Sequence, residues 1–181
     1  TSESMVALVQ SSVTLPIMVL SLLAGVFADS YDRRRVMLVA QGFMLAVSIL
    51  LAFMAFENLL TPALLLTFTF LIGCGTALHN PSWQASMGDI VSRTNLSSAV
   101  TLNAMGFNLM RSVGPAFGGA LVAFAGAAAA FAFNALSYIP ISAALFLWKP
   151  AEKTERLPRE PLAQALGAGL RYMSMSPHLL K

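Results

Sequence analysis

The sequence predicts an all-α, polytopic membrane protein, and three observations predict it. Of its 181 residues, 57% are hydrophobic and only 10% are charged, whereas a soluble domain carries roughly 25% charged residues. Its mean hydropathy is +0.72. The charges are also bunched: none falls between Glu3 and Asp29, between Arg35 and Glu57, from Asn58 to Gly88, or from Ser112 to Trp148. Finally, the apolar runs, such as LLLTFTFLIG and GGALVAFAGAAAAFAF, do not alternate in polarity. A barrel strand needs about 9–11 residues of alternating polarity. Backbone groups in hydrocarbon must be satisfied within their own segment, so long apolar runs mean helices.

A bilayer core takes about 20 apolar residues per helix, which divides residues 1–148 into five spans: 5–28, 36–56, 60–82, 97–124 and 128–148. The first two charge-free stretches hold one span each. The third holds one span and a polar end, and the region from Leu96 to Trp148 must hold two, turning at Gly126. Connections at 29–35, 57–58, 89–96 and Gly126 are short, which predicts that sequential helices are antiparallel neighbours. The lone cysteine, Cys74, excludes an internal disulfide framework and a thiolate metal site. The opening Thr-Ser-Glu-Ser has neither an initiator Met nor a basic n-region, so the chain is expected to be a fragment or a processed form without a signal peptide.

Basic residues set the expected orientation. Arg33, Arg34, Arg35, Arg93, Lys149, Lys153, Arg156, Arg159, Arg171 and Lys181 share one side, and Arg111 alone of the 11 Lys and Arg residues does not. By the positive-inside rule the loops 29–35 and 89–96 and the tail 149–181 are cytoplasmic, in a cell (inner) membrane. Tyr31, Trp83 and Trp148 fall at the same ends, where amphipathic aromatics anchor helices among the headgroups. With five spans, Thr1 lies outside and Lys181 inside, which predicts an earlier span before the first residue. The tail begins KPAEKTERLPREP, a linker composition. Leu162, Leu166, Leu170 and Met173 then recur at helical spacing, which predicts a short amphipathic helix on the inner leaflet, with Gly167 and Gly169 opposing it.

Three constellations rise above hydropathy. In GVFADSYDRRRVM, the arginines complement the negative end of the first helix, while Asp29 sits at the wrong end of that dipole and needs a partner. In RSVGPAFGGAL, Gly114 and Gly118 form a small-xxx-small pair for close helix approach, and Pro115 is expected to kink the helix. Arg111 lies fourteen residues past Ser97, roughly 21 Å into its span, near the midplane. An arginine there costs about 3 kcal/mol to insert, so it faces a cavity or a partner. Candidate partners are Asn103, Asn108, His79, Asn80, backbone carbonyls, a carboxylate elsewhere, or an anionic substrate. His79 itself reads first as an interface residue and second as a proton relay. HExxH, GxSxG and GxxxxGK[ST] are all absent, so no enzyme, cofactor or metal site is expected.

GVFADSYDRRR resembles the loop signature G-x-L-A-D-R-x-G-R-[KR] of the major facilitator superfamily. Gly25, Ala28, Asp29, Arg33 and Arg34 match, while Phe27 replaces Leu, Ser30 replaces Arg and Asp32 replaces Gly. GPAFGG, from Gly114 to Gly119, resembles the helix-5 motif of its exporters and antiporters. The wider pattern NPSWQASMGDIV…LNAMGFNLMRSVGPAFGGAL is similar to the enterobactin-exporter branch. The resemblance implies the major facilitator fold, here helices 2 to 6 of an incomplete N-terminal six-helix half, followed by the central cytoplasmic linker. It implies that Gly25, Asp29, Arg33 and Arg34 take part in gating, and that Gly114, Pro115, Gly118 and Gly119 form the helix-5 motif. Gly73, Gly75 and Ala77 fit the helix-4 motif, but its opening arginine is Thr69 here. Arg111, with Asn108, is then the candidate cavity or coupling residue.

The expected function is secondary active export of a small molecule, siderophore or drug-like, by alternating access around a midplane site, with protons as the possible coupling ion. The lipid bilayer and a small-molecule substrate are the expected partners, nucleic acid is not, and the full-length protein is expected to be a monomer. A channel or a non-transporting membrane scaffold is the alternative.

Overall fold

A computed structural model describes residues 3–149. The linker and amphipathic helix expected over 149–181 lie outside the described residues, apart from Lys149. Four helices follow one another: α1 (Glu3–Ser30), α2 (Arg33–Phe56), α3 (Pro62–Ile90) and α4 (Leu96–Leu147), with a 3-10 turn at Arg93–Asn95. There is no strand among the described residues. Helix α4 has two arms, because Gly126, at φ 84° and ψ 167°, breaks the helical dihedrals. That region of backbone space is open to glycine almost alone, so the turn sits where a side chain is forbidden.

The helix ends follow local chemistry. Asp32 caps α2, its carboxylate accepting from the Arg34 amide at 3.0 Å. At the other end Asn58 takes φ 58°, its amide donates to the Ala55 carbonyl, and the Leu59 amide donates to the Met54 carbonyl. These two bonds satisfy carbonyls that a helix end leaves without partners, with asparagine in the left-handed position that only glycine occupies more readily. Thr61 caps α3, with Pro62 in the first turn, where a missing N–H goes unmissed.

Helix α3 extends beyond the expected span 60–82, running through Pro81 to Ile90. Proline removes the one backbone donor that would have bonded the Ala77 carbonyl, yet the helix continues; beyond it the Ser82 and Ser86 hydroxyls donate to the Leu78 and Ser82 carbonyls of their own helix rather than to solvent. The expectation that sequential helices are neighbours holds for α2 and α3 but not for α1 and α2 or for α3 and α4. Helix α1 packs along α3, and α2 packs between α3 and the second arm of α4, while α1 with α2 and α3 with α4 meet only slightly. Two glycines explain why. Gly73 and Gly75 lie about 200° apart around α3. A Cβ on Gly73 would stand 2.7 Å from Pro16 Cγ and from the Val13 carbonyl of α1, and one on Gly75 would strike Met44 of α2. So α3 wedges between α1 and α2, and the short loop sets direction without setting contact.

Helix α2 is the centre of the packing. Its buried residues Met37, Ala40, Gln41, Met44, Val47, Ser48, Leu51 and Ala52 recur at helical spacing, whereas Val39, Ile49, Leu50 and Phe53 are exposed on the other side. Val47 and Leu51 meet Phe68 of α3, with Phe131 of α4 packed against them. Asn134 of α4 donates to the Ser48 hydroxyl at 3.1 Å. The first arm of α4 is exposed along most of its length. Arg33–Phe56, Pro62–Ile90 and Arg93–Leu147 are each long and apolar enough to cross a membrane, the last of them with its break at Gly126.

Candidate functional site: the clamped helix ends

Three helix termini meet where the loop 29–35 enters α2. Arg33, in the first turn of α2, donates through Nη1 to the Ala85 carbonyl at 2.8 Å and to Asp89 Oδ2 at 2.9 Å. Asp89 stands in the last turn of α3, where the helix dipole disfavours a carboxylate. Arg33 offsets that repulsion and ties α2 to α3. Both side chains are about a quarter exposed or less, so the pair contributes only about 1 kcal/mol after solvent screening. Its geometry matters more than its strength.

Arg34 reaches the other way. Its Nε donates to the Leu145 carbonyl at 2.8 Å, its Nη2 donates to the Phe146 carbonyl, and its guanidinium lies 6.0 Å from the centroid of the Phe146 ring. Leu145 and Phe146 belong to the last turn of α4, whose carbonyls have no helical partner. A fixed cation there complements the dipole. Adjacent arginines therefore clamp the ends of α3 and α4 to the start of α2. Arg35 does not join them: its side chain is 85% exposed, with Nε 3.9 Å from Asp32.

Asp29 lies in the last turn of α1, beside this cluster in sequence; its side chain lies outside the described ones. Gly25 belongs to the same helix, and a Cβ there would meet nothing within 4 Å. Below the cluster, Trp83 is more than a headgroup anchor. Its ring stacks on His79 with centroids 6.5 Å apart, and its Nε1 donates to Asn103 Oδ1 at 3.2 Å, linking α3 to the first arm of α4. His79 Nε2 is buried without a hydrogen-bond partner.

The remaining expected residues lie apart from the clamp. Gly114, Pro115, Gly118 and Gly119 are all on the first arm of α4, and a Cβ on any of the three glycines would meet nothing within 4 Å. Any helix that Gly114 and Gly118 admit is therefore not among the described residues. The helical dihedrals continue through Pro115 and fail only at Gly126. Arg111 is exposed, and neither it nor the Asn108 side chain bonds to any of the candidate partners, since Asn103 is taken by Trp83. Thr69, standing where the helix-4 motif has arginine, donates to the Leu65 and Leu66 carbonyls of its own helix. Among the described residues, no three His, Cys, Asp or Glu side chains gather to hold a metal.

Against this geometry the comparisons are decisive on one point, because the transmembrane secretion effector family of the major facilitator superfamily matches residues 1–181. The chain belongs to that family. Its relatives include the staphyloferrin A transporter of Staphylococcus aureus (strain NCTC 8325 / PS 47), 28% identical over 125 residues, covering 68% of this chain and 32% of the relative. The uncharacterized MFS-type transporter YfiS of Bacillus subtilis (strain 168) is 25% identical over 180 residues, covering 96% of this chain and 42% of the relative. The chain thus spans about a third to two fifths of the relatives it matches. No solved structure matches it. Membership makes this a multi-pass helical membrane protein, in keeping with the apolar length of its helices.

Within the family's loop signature, Asp32 occupies the glycine position and acts as the α2 cap. Asp89 was missed as a site residue. The signal was present: like Asp29, it is an acid at a helix C-terminus, and that placement demands a cation.

Proposed function

We propose that this chain is the part of a secondary transporter that forms its cytoplasmic gate, in a protein that exports a small molecule by alternating access. The observation that carries this is the pair of adjacent arginines, Arg33 and Arg34, fixing two helix termini beside Asp29 within a transporter signature. A clamp of that kind makes three helix ends move as one body. Asp29, at the unfavourable end of its own dipole, binds across to the other half of the protein and closes the cytoplasmic side.

The orientation assigned here puts the clamp inside the cell. Arg33, Arg34 and Arg35 share one end of the bundle with Arg93 and Lys149, and the opposite turns at Asn58 and Gly126 hold no Lys or Arg. This excess favours an inner-membrane protein with that end cytoplasmic. A siderophore is the first substrate to try, given what the Staphylococcus aureus relative is named for, with drug-like compounds second. Proton antiport is the assigned energy source, and a monomer the assigned working unit.

The test is retention of a panel of siderophores and dyes in cells lacking other exporters. The intact transporter should lower retention of at least one compound. Asp29→Asn should abolish that effect while insertion into the membrane stays normal. Normal export by a well-inserted Asp29→Asn protein removes the gate, and unchanged retention of every siderophore and dye removes the exporter.

A further inference from the structure

The first arm of α4 carries a mainly polar stripe that lipid does not explain and that no other described residue covers. Ser97, Thr101, Ala104, Asn108, Arg111 and Pro115 recur at alternating steps of four and three residues, the spacing that keeps side chains on one helix face. All six are exposed. The arm's covered side is elsewhere: Leu96, Ala99, Gly114, Gly118 and Leu121 are partly covered, and Asn103 bonds to Trp83. A third side is made of Leu102, Leu109, Val113 and Phe124, exposed by 72, 57, 49 and 92%, and is apolar enough for lipid. At 100° per residue the stripe is centred roughly 110° from the covered side and roughly 150° from the apolar one.

Its chemistry selects what it faces. The Thr101 hydroxyl is satisfied by the Ser97 carbonyl at 2.9 Å. The Asn108 amide and the Arg111 guanidinium have no hydrogen-bond partner among the described residues. Arg111 lies midway between Leu96 and Gly126, roughly 22 Å from either end of the arm, too deep for its side chain to reach the headgroups. A guanidinium and an amide one turn apart, about 5–6 Å between Cβ atoms, form a donor-rich site at the membrane midplane. A planar guanidinium matches an oxyanion with two parallel hydrogen bonds.

We propose that this stripe lines the aqueous translocation path and that Arg111, with Asn108, is the specificity-determining site for a substrate bearing a carboxylate or phosphate group. The proposal rests on the transporter function above and names its substrate class. Arg111 donates the charge and the fork, and Asn108 supplies a further donor to the same oxyanion. Thr101 and Ser97 carry the polar lining towards the clamped end.

The experiment reads the field around Arg111 without needing the substrate. In the intact transporter, with Cys74→Ser as background, Asn108→Cys is treated with a sulfonate-bearing and with a trimethylammonium-bearing methanethiosulfonate, each rate being normalised to a free thiol. The expected result is modification of Asn108→Cys with about a tenfold preference for the anionic reagent, the size expected from a single cation a turn away in a wet cavity. Adding Arg111→Gln should abolish the preference, and Arg111→Lys should preserve it. Thr101→Cys gives a second reporter on the same face if Asn108→Cys inserts poorly. Absence of modification at both positions would mean that the stripe is packed, absence of any anionic preference would mean that a carboxylate already neutralises the arginine, and a preference unmoved by Arg111→Gln would mean that other charges set the field. Any of the three overturns the proposal. Labelling requires no transport, so its failure is separable from failure to export in the retention assay.

Discussion

Gly73 makes the less yielding of the two close approaches among the described glycines. A Cβ there would sit 2.7 Å from both Pro16 Cγ and the Val13 carbonyl, and neither a proline ring nor backbone gives way cheaply. Gly73→Ala should therefore lower the stability of the intact protein by about 1–3 kcal/mol, the usual penalty for overpacking, read as an earlier thermal transition in detergent. Gly42→Ala should not lower it, because a Cβ on Gly42 meets nothing within 4 Å and alanine favours helix. Composition could not rank these glycines. The small-xxx-small pair Gly114 and Gly118 was the louder signal in sequence, yet Gly73 and Gly75 make the close approaches here. Spacing marks where a helix can be approached, and only packing says by what. Family resemblance did single out Gly73 and Gly75, though without a partner. The arginines were legible as helix-end cations, but which carbonyls they would hold was not. Arg34 reaches Leu145 and Phe146 across more than a hundred residues of chain, and no local pattern encodes that.

At the scale of elements, hydropathy located every described helix, and its errors have physical causes. Helix α3 continues past the expected span 60–82 to Ile90, because a helix need not stop where its apolar run does, and a window that counts apolar residues marks only the latter. The turn at Gly126 was legible because glycine alone interrupts an apolar run there. Its dihedrals give a direct prediction. At φ 84° and ψ 167° an alanine would be strained by about 1–3 kcal/mol, so Gly126→Ala should destabilise the intact protein and loosen the two arms of α4. The Phe117 and Phe133 rings meet across that turn at 5.5 Å. Spin labels introduced at these two positions should report one narrow distance distribution in the parent and a broader one in the Gly126→Ala background. Equal distributions in the two backgrounds would show that the turn tolerates a side chain.

For the whole molecule, loop lengths indicated the α2–α3 pairing but not the others. Short connections imply antiparallel order, but the wedge of α3 between α1 and α2 comes from two glycines on opposite sides of one helix. The distribution of charge was legible from the start, because a polybasic side is a property of the chain rather than of any contact. It predicts that cysteines at Asn58 and Gly126 are modified by an impermeant reagent added outside intact cells, while those at Ser30 and Thr94 are modified only after the cytoplasmic face is opened. Labelling of Thr94 from outside would invert the topology. The central claim, outward transport by alternating access, is tested most directly by direction and accumulation together. Inside-out and right-side-out membrane vesicles containing the intact protein would be energised and given the compound whose retention it lowers. Accumulation above the external concentration in inside-out vesicles alone is the predicted result. Equilibration without accumulation would indicate a channel, and accumulation in right-side-out vesicles alone would indicate an importer; either contradicts the claim.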